Sequence, residues 1–169
     1  MTQTLPEHPA ALPLCLSRRA EPDHQARMLA MEHRWLQALC DRLEDLADGL
    51  PGLPPAAERQ ALARDLTAVL PQHQARAVAL LERLCSGSPC APLGRVLLQR
   101  IRCQQGADAA HAQDVAAALR TPVAADTLGY MLRCFFDNSR RALAYEELAI
   151  LALVGRHLSP ATTALLLEG

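Results

Sequence analysis

Four long stretches of this 169-residue chain repeat apolar side chains at spacings of three and four, and proline- or glycine-bearing segments separate them. That spacing matches the turn of an α-helix, so each stretch carries one apolar stripe and has to bury it against another helix. The first stripe runs Leu29, His33, Leu36, Cys40, Leu43, Ala47 and Leu50. The second is Leu62, Leu66, Val69 or Leu70, His73, Ala77, Leu80 or Leu81, and Leu84. The third, more polar at its centre, is Leu98, Ile101, Gln105, Asp108, Ala112, Val115 or Ala116, and Leu119. The fourth is Leu128, Met131 or Leu132, Phe135, Ser139, Ala142, Glu146, Ala149 or Ile150, and Leu153. Half of the residues are hydrophobic, yet only 3% are aromatic, so the material of strands is scarce. The expected fold is all-α, an up-down-up-down four-helix bundle in one domain.

Proline and glycine set the expected boundaries. Residues 1–21, with Pro6, Pro9 and Pro13, read as an extended N-terminal arm whose apolar patch from Leu12 to Leu16 docks on the body, and residues 22–169 as the bundle. The first helix is expected from Pro22 to Asp48, stopped by Gly49, Pro51 and Gly52, and Pro54 and Pro55 open the second. Pro71 falls inside that second helix, where the lost donor costs about 3 kcal/mol, so a kink or a fresh start is expected two residues before His73. Ser88-Pro89 and Thr121-Pro122 read as cap-then-proline starts of the third and fourth helices. The fourth ends near Ser159-Pro160, and a short helix from Ala161 to Leu167 follows.

Charge and cysteine usage remove several classes of function. With 17 basic residues against 18 acidic, the chain lacks the electrostatic footprint for nucleic acid or an anionic membrane. No basic-led apolar leader is present, and no stretch nears the roughly 20 apolar residues of a membrane span, so the expected location is cytoplasmic. Cys15, Cys40, Cys85, Cys90, Cys103 and Cys134 are scattered and read as structural thiols, the Cys85/Cys90 pair being a weak metal signal. No nucleophile–base pair, phosphate loop or paired-carboxylate motif occurs, so no enzyme is expected. The expected partner class is another protein; the oligomeric state is open.

His33, His73 and Glu146 are three metal-capable side chains on inward stripes, and Gln105 shares their mid-helix position. Two imidazoles and a carboxylate are the ligand types of a mononuclear iron site or of a zinc site with an open position. Against this, a histidine on an apolar stripe is commonly a hydrogen-bonded core residue, and that reading is preferred: His33 would pair with Gln105 or Glu146. Of Glu146 and Glu147, one is expected to face solvent. Trp35 and Tyr145 read as packing residues, Arg140-Arg141 as a solvated face, and His8, His24, His111 and His157 are assigned no role.

The segment Met28-Leu29-Ala30-Met31-Glu32-His33-Arg34, the Leu70-Pro71-Gln72-His73 junction, and Phe135-Phe136 through Arg140-Arg141 to Glu146-Glu147 and His157-Leu158-Ser159 resemble the bacterial hemerythrin-like (HHE cation-binding) domain family over about residues 22 to 168. The resemblance implies a di-iron centre held by a histidine on helix one, His-x-x-x-Glu on helix two, a histidine on helix three and His-x-x-x-Glu on helix four. His33, His73 and Glu146 match ligand positions, whereas Ala77, Gln105 and Ala142 stand where the family has other ligands. Alanine supplies neither lone pair nor charge, so a complete di-iron centre is not expected. The resemblance implies a hemerythrin-like protein with an incomplete site and no cofactor, serving as a non-enzymatic binding or regulatory module. The alternative is a residual iron or zinc protein that senses oxygen or redox state, with Cys40 or Cys103 nearby.

Overall fold

A computed structural model describes residues 15–85, 91–154 and 158–167. Among them are five helices and no strand: α1 (Cys15–Asp48), α2 (Ala56–Cys85), α3 (Ala91–Arg120), α4 (Ala125–Val154) and α5 (Pro160–Leu167). Helix α1 packs on α2 and α4, and α3 packs on the same two, which closes a four-helix ring. Partner numbers rise on one helix as they fall on the next. Arg42 pairs with Asp65 and Glu32 with His73, while Arg140 pairs with Glu44 and Glu147 with His33. Neighbours in the ring are therefore antiparallel, as the stripes and short connections predicted. No described helix is long and apolar enough to cross a membrane.

Three boundaries differ from expectation. Helix α1 starts at Cys15 and runs through Pro22, so residues 15–21 are helical rather than an extended arm; residues 1–14, with most of the apolar patch, lie outside the described residues. Helix α2 is likewise unbroken across Pro71. A proline removes one donor and crowds the preceding turn, a local cost that a long helix bound on several faces absorbs. Thr121 does not start α4: its backbone N–H and its hydroxyl both donate to the Ala117 carbonyl, closing α3, while Leu128 N–H donates to Ala124 at the start of α4. Ser88-Pro89 lies outside the described residues. Pro55 does open α2, its carbonyl accepting from Glu58 and Arg59. Ser159 opens α5, accepting from Thr162 N–H at 3.2 Å while its own N–H donates to Asp23 of α1 at 2.7 Å.

The apolar core is split. One cluster, with Leu43, Leu62, Leu66, Leu119 and Leu132, fills the end of the bundle near the α1–α2 and α3–α4 connections. The other, with Leu29, Leu81, Ile101, Ile150 and Leu166, fills the opposite end under α5. Between them lies a layer of buried polar side chains: His33, His73, Gln105, Asp108, Glu146 and Glu147.

Helices α2 and α3 approach closely at one point where a side chain is forbidden. A Cβ on Gly94 would overlap the Cys85 sulfur, with the Cys85 Cβ at 3.2 Å and Leu153 Cδ2 at 3.4 Å. Gly94→Ala is expected to destabilise by about 1–3 kcal/mol, the usual cost of overpacking. Cys85→Ala in the same chain should recover part of that loss. Urea denaturation of the single and double variants checks it, and an unshifted midpoint in Gly94→Ala would contradict the close approach.

Candidate metal centre

Each side chain of the polar layer comes from the middle of a long helix, so its backbone is already satisfied and its position is set by the apolar turns on either side. His33 and His73 are 0% and 1% exposed, and their rings meet edge to face with centroids 5.0 Å apart. Glu146 reaches between them from α4. Its Oε2 lies 3.0 Å from His73 Nε2 and 3.4 Å from His33 Nε2, and its Oε1 accepts the Gln105 amide at 2.9 Å. One ligand atom from each of His33, His73 and Glu146 lies within 4.8 Å of the others. The convergence that spacing on separate helices leaves open is present.

The far nitrogens are occupied too. His33 Nδ1 is 2.8 Å from Glu147 Oε1, and His73 Nδ1 is 3.2 Å from Glu32 Oε2, whose other oxygen takes the Arg76 guanidinium at 2.6 Å. Both carboxylates escape the inward stripes. Glu147 was expected on the solvent side if Glu146 faced inward; instead both are buried, because the side chain at 147 bends back onto the ring on α1. The signal that identifies them is a carboxylate next in sequence to an inward ligand, in Glu32-His33 and Glu146-Glu147. Metal-bound histidines almost always give their second N–H to such a group.

Neutral imidazoles that donate from Nδ1 to Glu147 and Glu32 turn two Nε2 lone pairs toward the Glu146 carboxylate. Lone pair against lone pair is repulsive in a dry core, so a proton or a cation has to stand between them. His73 Nε2 is placed for a hydrogen bond to Glu146. His33 Nε2 is not: it is buried without a hydrogen-bond partner, and its 3.4 Å approach to Oε2 is attractive only by charge. Burial works against charge on His33, but Glu146 and Glu147 overcome it and raise its pKa to about 8. Burial likewise works against charge on Glu146, but the two imidazoles hold its carboxyl at about 2. Among the described residues, the three carboxylates that touch the two rings, set against the Arg76 guanidinium on Glu32, leave an excess of two negative charges, which one divalent cation or two imidazolium protons would cancel. Asp108 of the same layer touches neither ring and accepts from Gln104, and burial pushes its carboxyl up.

The residues do not fit a dinuclear iron centre. Ala77 is fully buried and supplies no donor, Ala142 supplies none, and Gln105 spends its amide on Glu146. A void of about 20 Å³ adjoins His73 and Glu146, bounded by Leu70, Phe135, Ser139 and Ala142, which is room for one water-sized ligand. The Ser139 hydroxyl at its wall is buried without a partner.

Other sequence-singled residues fall away from the layer. Trp35 is 40% exposed, a surface residue rather than the packing residue expected, whereas Tyr145 does pack on the core. Arg140 bridges Asp41 and Glu44 of α1 and stacks over Phe136, so it clamps two helices instead of facing free solvent; Arg141 is exposed. Cys40 lines the void, and burial pushes its thiol up to about 11, which leaves it unreactive; Cys103 is exposed on α3. Cys90 lies outside the described residues. Comparison of the chain with family models, with curated proteins and with solved structures gives no match.

Proposed function

We propose that the protein binds one divalent transition-metal ion, of the zinc or iron(II) class, through His33 Nε2, His73 Nε2 and Glu146. The observation that carries this reading is the orientation of the two rings. Both Nε2 atoms face one carboxylate oxygen, one of them without a hydrogen-bond partner, while both Nδ1 atoms are anchored by outer carboxylates. This is the arrangement by which proteins fix the tautomer and raise the basicity of metal-bound histidine. Three protein ligands and the adjoining void leave an open position for water or a small ligand. The hemerythrin-like resemblance enters the proposal as ancestry: a bundle that keeps ligands at His33, His73 and Glu146 and has lost those at Ala77, Gln105 and Ala142.

Elemental analysis of protein grown with added iron and zinc tests it. About one equivalent of metal is expected, lost in His33→Ala and in His73→Ala. Metal-free, folded protein would favour the second reading, which rests on Ala77 and Ala142: a hemerythrin-like bundle whose emptied centre has become a polar packing layer and which acts as a non-enzymatic binding or regulatory module.

A further inference from the structure

We infer that the cleft between α3 and α4 binds a small oxyanion, a carboxylate- or phosphate-bearing molecule held by Arg100 and Arg141. The cleft has a volume of about 340 Å³, within the range of small-ligand sites, and Glu146 lies among its lining residues. Arg100 on α3 and Arg141 on α4 line it, both exposed and neither in an ion pair among the described residues. Arg140, next along the chain, spends its guanidinium on Asp41 and Glu44 and points the other way. Two guanidinium groups on the walls of one concavity raise its potential together, and each presents a planar fork that matches a carboxylate or phosphate edge. Asn138 and Tyr145 line the same cleft and add neutral donors.

Two features make the cleft available to an anion. Ala142 stands in its wall, so no side chain beyond Cβ fills the space over Glu146. Glu146 is 4% exposed and its oxygens face His33, His73 and Gln105 in the core, so the groups an entering anion meets at the mouth are the two exposed guanidinium groups. The inference goes beyond the metal reading, because the cleft and both arginines are in place whether or not an ion occupies the polar layer.

Isothermal titration of the full chain with inorganic phosphate and, separately, with citrate tests it at low ionic strength, using chelated and metal-loaded protein. Arg100→Ala, Arg141→Ala and, as an exposed control on α3 outside the cleft, Arg120→Ala are compared after circular dichroism confirms their helicity. Saturable binding of one anion is expected in the chelated protein, weakened about tenfold or more in each cleft variant and unchanged in Arg120→Ala, since charge-assisted bidentate pairs are the strong ones. The preferred titrant separates phosphate from carboxylate chemistry. Absence of saturable binding of either anion, or equal weakening in all three variants, would overturn the assignment. Binding confined to metal-loaded protein and indifferent to both cleft arginines would put the anion on the ion and overturn it as well.

Discussion

Glu146→Ala is expected to cost the metal-free protein about 3–5 kcal/mol, the range for removing one partner of a buried charged network. The carboxylate is 4% exposed and serves three groups at once: the Gln105 amide and both imidazoles. Truncation strands all three and leaves a cavity, so desolvation and packing losses add to the lost attraction. Glu146→Gln keeps the volume and one acceptor but not the charge, and should lose less. Urea unfolding in the presence of a chelator reads both variants against the parent chain. Equal midpoints for parent and alanine variant would show that Glu146 does not hold the layer together.

The second large effect is a peaked dependence of metal-free stability on pH. Glu146 falls from an ordinary value of 4.5 to about 2 in the folded chain, so the stability it contributes is present above about pH 5 and lost as pH drops toward 2. His33 rises from 6.5 to about 8, so its contribution is complete below pH 6.5 and lost as pH climbs through 8. The two limbs leave a maximum between about pH 5 and 6.5, with a loss on the order of 2–3 kcal/mol on either side. Much of it is one interaction seen from both partners, so the limbs are not summed. Other carboxylates steepen the acid limb, and for that reason the informative comparison is with variants. Glu146→Gln should flatten the acid side and His33→Gln the alkaline side. Chemical denaturation at fixed temperature from pH 2 to 9 measures it, and a parent profile flat across that range would contradict the pairing.

The bundle was legible because four stripes repeat at helical spacing, and such a stripe has few ways to be buried; the residues on it, from Leu29 to Leu153, are almost all in the core. Helix ends were less legible. Pro22 and Pro71 each carry a fixed local penalty, whereas the packing that outweighs it is spread over distant contacts that no local window contains. His33, His73 and Glu146 were legible as candidates because they interrupt apolar stripes. Their meeting was not, since the register between helices depends on how whole faces interdigitate. Glu32 and Glu147 escaped for a simpler reason. Each sits about 100° around its helix from an inward neighbour and reaches back through a flexible side chain, which puts its carboxylate on the layer and its Cα off the stripe.

A core interrupted by one polar layer also limits how the four helices can slide. Two purely apolar clusters would tolerate a shift of α1 or α4 by one turn, because leucine against leucine is nearly as good at the next position. A slip of about 5.4 Å carries His33 away from Glu147 and Glu146, and it buries those carboxylates among Leu and Ala with nothing to answer them. The polar layer thus works as a registry key, making every offset but one costly and selecting a single alignment from a sequence otherwise repetitive in leucine and alanine.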